Sequence, residues 1–285
     1  MSKVKDQSQK DGKKKKRPPL LSRQDFLKIA GATGVTAAVT QLVTSGPLSP
    51  DAVQGIGQRT HPSDAEKAKH EWRMAIDLQT CIGCQYCVWA CQATNDVPED
   101  DMRWNVGFPE RTENGTDFYM TRPCLHCQEA PCVKVCPVGA TWKREDGLVS
   151  MDYDRCIGCR YCEVACPYDV RRFNWKPATA ENAYQPTWGR PEIERRARGV
   201  VEKCTFCEHR IDRGLDQGLT PGIDREATPA CVNACPVNAR VFGDTKDPAS
   251  PVSTFLRENE TFRLREDFGT KPKVHYVRPE KEEEA

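Results

Sequence analysis

Asp154-Arg155-Cys156-Ile157-Gly158-Cys159-Arg160-Tyr161-Cys162-Glu163-Val164-Ala165-Cys166-Pro167 is the stretch whose reading decides the fold. Its C-x2-C-x2-C-x3-C-P spacing is the one that holds an iron–sulfur cube by thiolates. Three closely spaced cysteines on one tight loop reach three corners of a cube, while the fourth points away along the following helical turns. In two-cluster ferredoxins that fourth cysteine serves the other cluster, and proline follows it where the chain must turn. Working outward, Cys81, Cys84, Cys87 and Cys91 repeat the spacing upstream. Looser versions are Cys124, Cys127, Cys132, Cys136 and Cys204, Cys207, Cys231, Cys235. Pro137 and Pro236 stand where Pro167 does, whereas Gln92 follows the fourth cysteine of the first group. Sixteen cysteines in four groups of four suffice for four 4Fe–4S cubes, and all sixteen are predicted to be iron ligands. Gly83 and Gly158 lie inside their loops, where a missing Cβ lets backbone amides approach cluster sulfurs.

Other uses of cysteine fit less well. Disulfide frameworks of exported proteins scatter their cysteines, and these are tightly grouped. The second and fourth groups alone could pass as zinc sites, which leaves a zinc-stapled structural adaptor as an alternative of another class. His126 and His209 sit beside cysteines, but with every thiolate assigned they read as surface groups or supports for the ligands. Tyr86, Trp89, Tyr161 and Trp175 read as packing around the clusters. Arg171-Arg172 and Arg195-Arg196 read as solvated charges.

The composition agrees with a small core stapled by clusters. Only 38% of the 285 residues are hydrophobic, and the mean hydropathy is −0.68. The net charge of +1 conceals an asymmetry, because residues 1–45 carry ten basic and three acidic side chains and the remainder is acidic. Each thiolate-bound cube adds roughly −2 more. Nucleic-acid binding is therefore disfavoured. No run of about 18 strongly apolar residues predicts a membrane span.

Residues 1–45 read as an export signal or tether: a basic region, then an uncharged Ala/Gly/Thr/Val stretch. Ser22-Arg23-Gln24-Asp25-Phe26-Leu27-Lys28 is similar to the twin-arginine motif, with Gln24 in place of the second arginine. Residues 46–72 read as a linker rich in Pro, Gly, Ser and charge. A strand–cysteine loop–helix–strand unit then occurs four times. Lead strands are predicted at Met74–Leu78, Phe118–Thr121, Leu148–Asp152 and Val200–Lys203. Return strands are predicted at Arg103–Phe108, Ala140–Lys143, Val170–Trp175 and Ala239–Phe242, with a hairpin turn at Glu145-Asp146-Gly147. The segments Lys176–Gly199 and Glu208–Pro229 read as surface loops, and residues 246–285 as a C-terminal tail.

The motifs Cys81-Ile82-Gly83-Cys84-Gln85-Tyr86-Cys87, Pro131-Cys132-Val133-Lys134-Val135-Cys136-Pro137, Asp154-Arg155-Cys156-Ile157-Gly158-Cys159-Arg160-Tyr161-Cys162 and Lys203-Cys204-Thr205-Phe206-Cys207 carry a resemblance. Over residues 73–245 the chain resembles the four-cluster iron–sulfur subunits of the dimethyl sulfoxide reductase, polysulfide reductase and formate dehydrogenase family of molybdopterin oxidoreductases. The resemblance implies an α+β fold of two bacterial-type ferredoxin-like modules, one inserted in the other, with long connecting loops. The outer module would span 73–123 and 200–245, and the inner one 124–199. It also implies the ligand sets Cys81, Cys84, Cys87, Cys235; Cys204, Cys207, Cys231, Cys91; Cys124, Cys127, Cys132, Cys166; and Cys156, Cys159, Cys162, Cys136. The third group keeps all four cysteines, so four 4Fe–4S centres are expected and no 3Fe–4S variant. The implied function is a non-catalytic relay of single electrons in anaerobic respiration. Its partners would be a catalytic molybdopterin subunit and a quinone-handling membrane subunit, on the periplasmic face or, alternatively, the cytoplasmic one. A hydrogenase or multihaem cytochrome complex stands as an alternative partner.

Overall fold

A central strand made by Trp72–Asp77 (β1) organises the molecule, with Trp72, Met74, Ala75 and Ile76 all buried. The structure is a computed structural model that describes residues 64–98, 102–177 and 179–279. They all belong to one compact unit, Thr60–Ala285. Residues 1–45, read above as a signal or tether, lie outside the described residues, as does most of the predicted linker. The last part of that linker is ordered structure instead: Asp64–Lys67 form a helical turn (α1), and the chain then enters β1.

After the first cysteine loop come a helix, Tyr86–Thr94 (α2), and a hairpin of Val106–Arg111 (β2) and Asp117–Arg122 (β3). The first return strand was expected inside its own unit, but β2 pairs antiparallel with β3, the lead strand of the next. Asn114-Gly115 at the tip explains this, because the pair suits a tight turn between two extended runs. Arg111 and Asp117 close the hairpin at 2.6 Å. The short helix Pro131–Lys134 (α3) begins with proline, whose missing N–H costs nothing at a first helical position. Thr141–Lys143 (β4) and Val149–Met151 (β5) form the predicted hairpin around Gly147.

Tyr161–Val164 (α4), Arg172–Phe173 (β6), Val201–Glu202 (β7), Glu208–Asp216 (α5) and Ala230–Asn233 (α6) follow, then Arg240–Asp244 (β8). Strand β8 pairs antiparallel with β1, so the first cysteine unit is joined to the fourth. Helices α2 and α6 pack together, as do α3 and α4.

The expected C-terminal tail is the largest departure. Pro251–Glu258 (α7) starts at Ser250, whose hydroxyl accepts from the Ser253 N–H, and Thr261–Phe262 (β9) and Val274–Val277 (β10) follow. Strand β10 lies parallel to β1 inside the sheet, in the order β8-β1-β10-β9. Val274 and Tyr276 are fully buried, and the Tyr276 hydroxyl donates to the Thr121 carbonyl at 3.1 Å. The chain reaches β10 from β8 through residues 245–273, by way of α7 and β9. Without β10, β1 would present an open edge to solvent.

The two predicted surface loops are also more engaged than expected. In Lys176–Gly199, Asn182 donates to the Gln92 carbonyl at 2.9 Å and Gln185 to that of Ala93 at 3.1 Å. These are terminal carbonyls of α2, which lack partners within the helix. Arg195 pairs with Asp96 at 2.9 Å just beyond that helix. The second segment opens with α5, held to the β4–β5 turn by a buried network. Arg144 there reaches Asp146 at 2.7 Å and Asp212 at 2.5 Å.

Candidate functional site

The first and third cysteine loops share one backbone. Gly83 and Gly158 take φ of 71° and 68°, and Gln85 and Arg160, entering α2 and α4, take 63° and 62°. A Cβ on Gly83 would stand 2.3 Å from the Tyr119 ring, and one on Gly158 2.1 Å from the Gly199 carbonyl oxygen. Glycine is therefore required by close approach as well as by the left-handed turn. The Gly83 N–H reaches the Cys81 sulfur.

Cys81 and Cys84, from the loop between β1 and α2, and Cys87, in the first turn of α2, line one cavity together with Cys235 from beyond α6. Tyr119 and Arg240 complete its wall. The Ala239 N–H donates to Cys235 Sγ at 3.2 Å. Cys91 on α2 is buried, and Cys204, Cys207 and Cys231 are its neighbours. Around this second cage the Phe206 N–H donates to Cys204 Sγ at 3.4 Å, and Asn95 Nδ2 approaches Cys91 and Cys207 at 3.6 and 3.9 Å. Burial pushes the Cys231 thiol up to about 12 and the Cys204 and Cys91 thiols in the same direction.

Cys124, Cys127, Cys132 and Cys166 line a second cavity, with Tyr168 and Arg171 in its wall. Burial, then the neighbouring Cys124, pushes Cys127 up to about 12. Thr270 hydrogen-bonds both Cys127 and the Tyr168 hydroxyl, so the C-terminal segment closes this cage. In the fourth group, Cys162 faces Cys156. Cys136 follows α3, the helix packed on α4, which carries Cys162. Burial opposes ionisation of Cys136, but N–H groups of Thr141, Val138, Ala140 and Gly139 outweigh it and lower its pKa.

One contact links two of these cysteine groups. Cys204 of the second cage neighbours Cys124 of the third, with His126 beside them. The Val149 N–H donates to His126 Nδ1 at 3.0 Å, so Nε2 carries the proton and donates to the Cys204 carbonyl at 3.1 Å. Burial, reinforced by Lys203, holds this ring neutral. His126 thus hydrogen-bonds the backbone of the Cys204 loop, while His209 lies 3.5 Å from Glu192.

The arginine reading needs correction. Arg171 and Arg196 are buried, and Arg195 is paired as described. Arg196 holds Glu202 at 3.1 Å and lies over the Trp104 ring. Arg172, paired with Asp169, fits the surface expectation better. Sequence reasoning also missed Arg240, Asn95, Tyr119 and Thr270. A signal for one of these was present: Arg240 stands five residues after the Cys-Pro cysteine Cys235, as Arg171 does after Cys166. Of the aromatics, Tyr86 and Trp89 pack with Trp188, but Tyr161 and Trp175 are mainly exposed.

The donor sets suit cubes. Sixteen cysteines are free of disulfides, and burial pushes up the thiols of Cys91, Cys127, Cys204 and Cys231 among others, so that their thiolates are costly without bound cations. Cysteines surround cavities, and among the described residues no three His, Cys, Asp or Glu converge on a single ion as tetrahedral zinc requires. When bound, a 4Fe–4S cube supplies one-electron chemistry; the chain supplies the thiolates, the amides that touch them and the burial.

Paired helices, cysteine cages and short hairpins define a ferredoxin-like 4Fe–4S dicluster protein. Family profiles described as 4Fe-4S dicluster domain match residues 80–141, 116–184 and 155–239. The chain is 43% identical over 223 residues, 73% of its length and 79% of the relative's, to a Halobacterium salinarum protein provisionally named as the iron–sulfur subunit of a dimethyl sulfoxide reductase. It is 40% identical to the menaquinone reductase iron–sulfur cluster-binding subunit of Nitratidesulfovibrio vulgaris, over 75% of this chain and 91% of that one. A subunit of the tetrathionate reductase of Salmonella typhimurium is 35% identical, over 90% of this chain and 88% of its own. The chain belongs to the family of iron–sulfur electron-transfer subunits that serve the dimethyl sulfoxide, polysulfide and tetrathionate reductases.

Proposed function

We propose that this chain relays single electrons through four 4Fe–4S clusters between a quinone-handling membrane subunit and a catalytic molybdopterin subunit. The ligand sets are Cys81, Cys84, Cys87, Cys235; Cys91, Cys204, Cys207, Cys231; Cys124, Cys127, Cys132, Cys166; and Cys136, Cys156, Cys159, Cys162. The observation that carries the reading is the gradient of exposure along the cages. Cysteines of the second cage are all buried, whereas Cys159 of the fourth is exposed. Ile82, beside the first cage, and Ile157, beside the fourth, are 60% and 64% exposed. A relay needs insulated middle sites and surface-accessible ends. Tyr161, Val164 and Trp175 add apolar surface around the fourth cage, the chemistry of a subunit contact.

The pairing of β1 with β8 and the packing of α2 on α6 and α3 on α4 support one ferredoxin module inserted in the other. The outer module takes 73–123 and 200–245, extended by β10, and the inner takes 124–199. Relatives named for menaquinone and polysulfide reduction support a quinone pool at one end and a reductase at the other. No described helix is long and apolar enough to cross a membrane, so the membrane subunit is a separate chain in this reading. The twin-arginine-like segment supports the periplasmic face.

Anaerobic purification of the complex, with iron and acid-labile sulfide assays and EPR, tests the cluster count: sixteen iron and four reducible cubes per chain are expected from the sixteen cysteines. Stoichiometric zinc without sulfide overturns the reading. Cys159→Ser should remove the fourth cube alone. It should slow quinone-linked turnover more than turnover with an artificial donor feeding the catalytic subunit. Equal loss of both, at normal assembly, contradicts the proposed position of the fourth cube in the chain. Fractionation that finds the holocomplex on the cytoplasmic face overturns the localisation.

A further inference from the structure

Two arginines with no surface role occupy matching places in the two halves of the fold. Arg240 is 4% exposed and lies in the wall of the first cage. It also hydrogen-bonds Cys231 of the second cage. Its other polar contacts are neutral: Asn105 Oδ1 at 3.0 Å and the Met74 sulfur at 3.7 Å. Arg171 is 1% exposed, lies in the wall of the third cage, and hydrogen-bonds Cys132 there and Cys162 of the fourth. Its neutral contacts repeat the pattern, with Thr141 Oγ1 at 2.8 Å and the Met151 sulfur at 3.4 Å. Among the described residues, neither guanidinium has a carboxylate partner. A buried cation without a carboxylate is costly unless other negative charge faces it, and here the facing groups are cysteines.

We propose that Arg240 and Arg171 are shared counter-cations, each set between the two cubes of one ferredoxin module and raising the reduction potential of both together. The inference rests on the cluster-binding reading above. A cube gains one negative charge when it accepts an electron, and its neighbour loses one when it donates. No proton moves and no bond breaks. A fixed positive charge in a dry interior stabilises the more negative, reduced state of any cube it faces. Placed between two cubes, it acts on both and offsets their mutual repulsion. The five donors of one guanidinium allow contacts on two sides at once, which a lysine's compact ammonium meets less well. The matching position after Cys166 and Cys235 places one such cation in each module.

The test uses the intact complex. Iron and sulfide are measured first, then EPR-monitored redox titrations of wild type, Arg240→Gln, Arg171→Gln and the two lysine variants. Arg240→Gln should lower the potentials of the first and second cubes, each by at least tenfold in its one-electron equilibrium, which is 59 mV. The third and fourth should stay in place. Arg171→Gln should do the reverse, and each lysine variant should recover most of the shift. Unmoved potentials, or a shift confined to one cube of a pair, overturn the proposal. Should a glutamine variant lose cubes, its lysine partner decides. Full iron with potentials near wild type supports the charge role, and loss of the same cubes overturns it in favour of shape alone. A wild-type complex without four cubes refutes the cluster reading instead, so the two failures are distinguishable.

Discussion

Gly158→Ala is the sharpest probe of how the fourth cage is built. The added methyl would lie 2.1 Å from the Gly199 carbonyl oxygen and 2.9 Å from a Phe173 ring carbon, at a φ of +68°. The left-handed backbone alone costs alanine roughly 1–2 kcal/mol. Forcing a methyl into occupied space adds about 1–3 kcal/mol, and here the obstacle is backbone, which yields poorly. The sum, about 2–5 kcal/mol, falls on the loop that carries Cys156 and Cys159. The loop should relieve it by moving, and the fourth cube should go while the other cubes remain. Gly115→Ala is the control, since at φ +91° its methyl meets nothing within 4 Å and only the backbone cost applies. Iron per chain, the EPR signals of the individual cubes and thermal denaturation of the complex report the outcome. Gly158→Ala with full iron and the stability of Gly115→Ala would refute the close-approach reasoning.

Three further outcomes test the rest of the structure. Arg144→Met should destabilise by about 3–5 kcal/mol, because it leaves Asp146 and Asp212 buried without their cation; denaturant titration of the holoprotein checks this. Tyr276→Phe strips the donor from the Thr121 carbonyl and should cost about 1–3 kcal/mol. A neutral result in the same assay would place β10 outside the sheet. Burial, then Arg73 and Arg263, lowers the His275 pKa to about 4. Between its unfolded value near 6.5 and pH 4 the unfolded chain binds the proton and the folded chain does not, so stability falls as pH falls through that window. His275→Gln should remove on the order of 2–3 kcal/mol of that acid sensitivity, read as the difference between the two stability–pH curves.

The exposed Cys159 and the buried second cage give the relay reading its physical content. Surface around the fourth cage includes the apolar side chains of Ile157, Tyr161, Val164 and Trp175, while the insertion over α2 satisfies helix carbonyls and pairs Asp96 beyond that helix. One segment read as a surface loop is thus partly committed to packing on α2.

Cysteine spacing by itself determined the local chemistry. Three thiols on a tight loop, a glycine at a close approach and a proline after the fourth cysteine are constraints that act within about a dozen residues, and such constraints are written in order along the chain. The strand–loop–helix units and the Glu145-Asp146-Gly147 hairpin were legible for the same reason. Only the tertiary structure decided that the C-terminal segment is an inner strand. Val274-His275-Tyr276-Val277 is too short and too mixed to announce burial, and it becomes a strand because β1, some two hundred residues away, offers an open edge. Nor does an arginine's side chain reveal whether it will be solvated. Arg171 and Arg240 are buried because cysteines from distant loops converge around them, and that convergence is a property of packing in three dimensions.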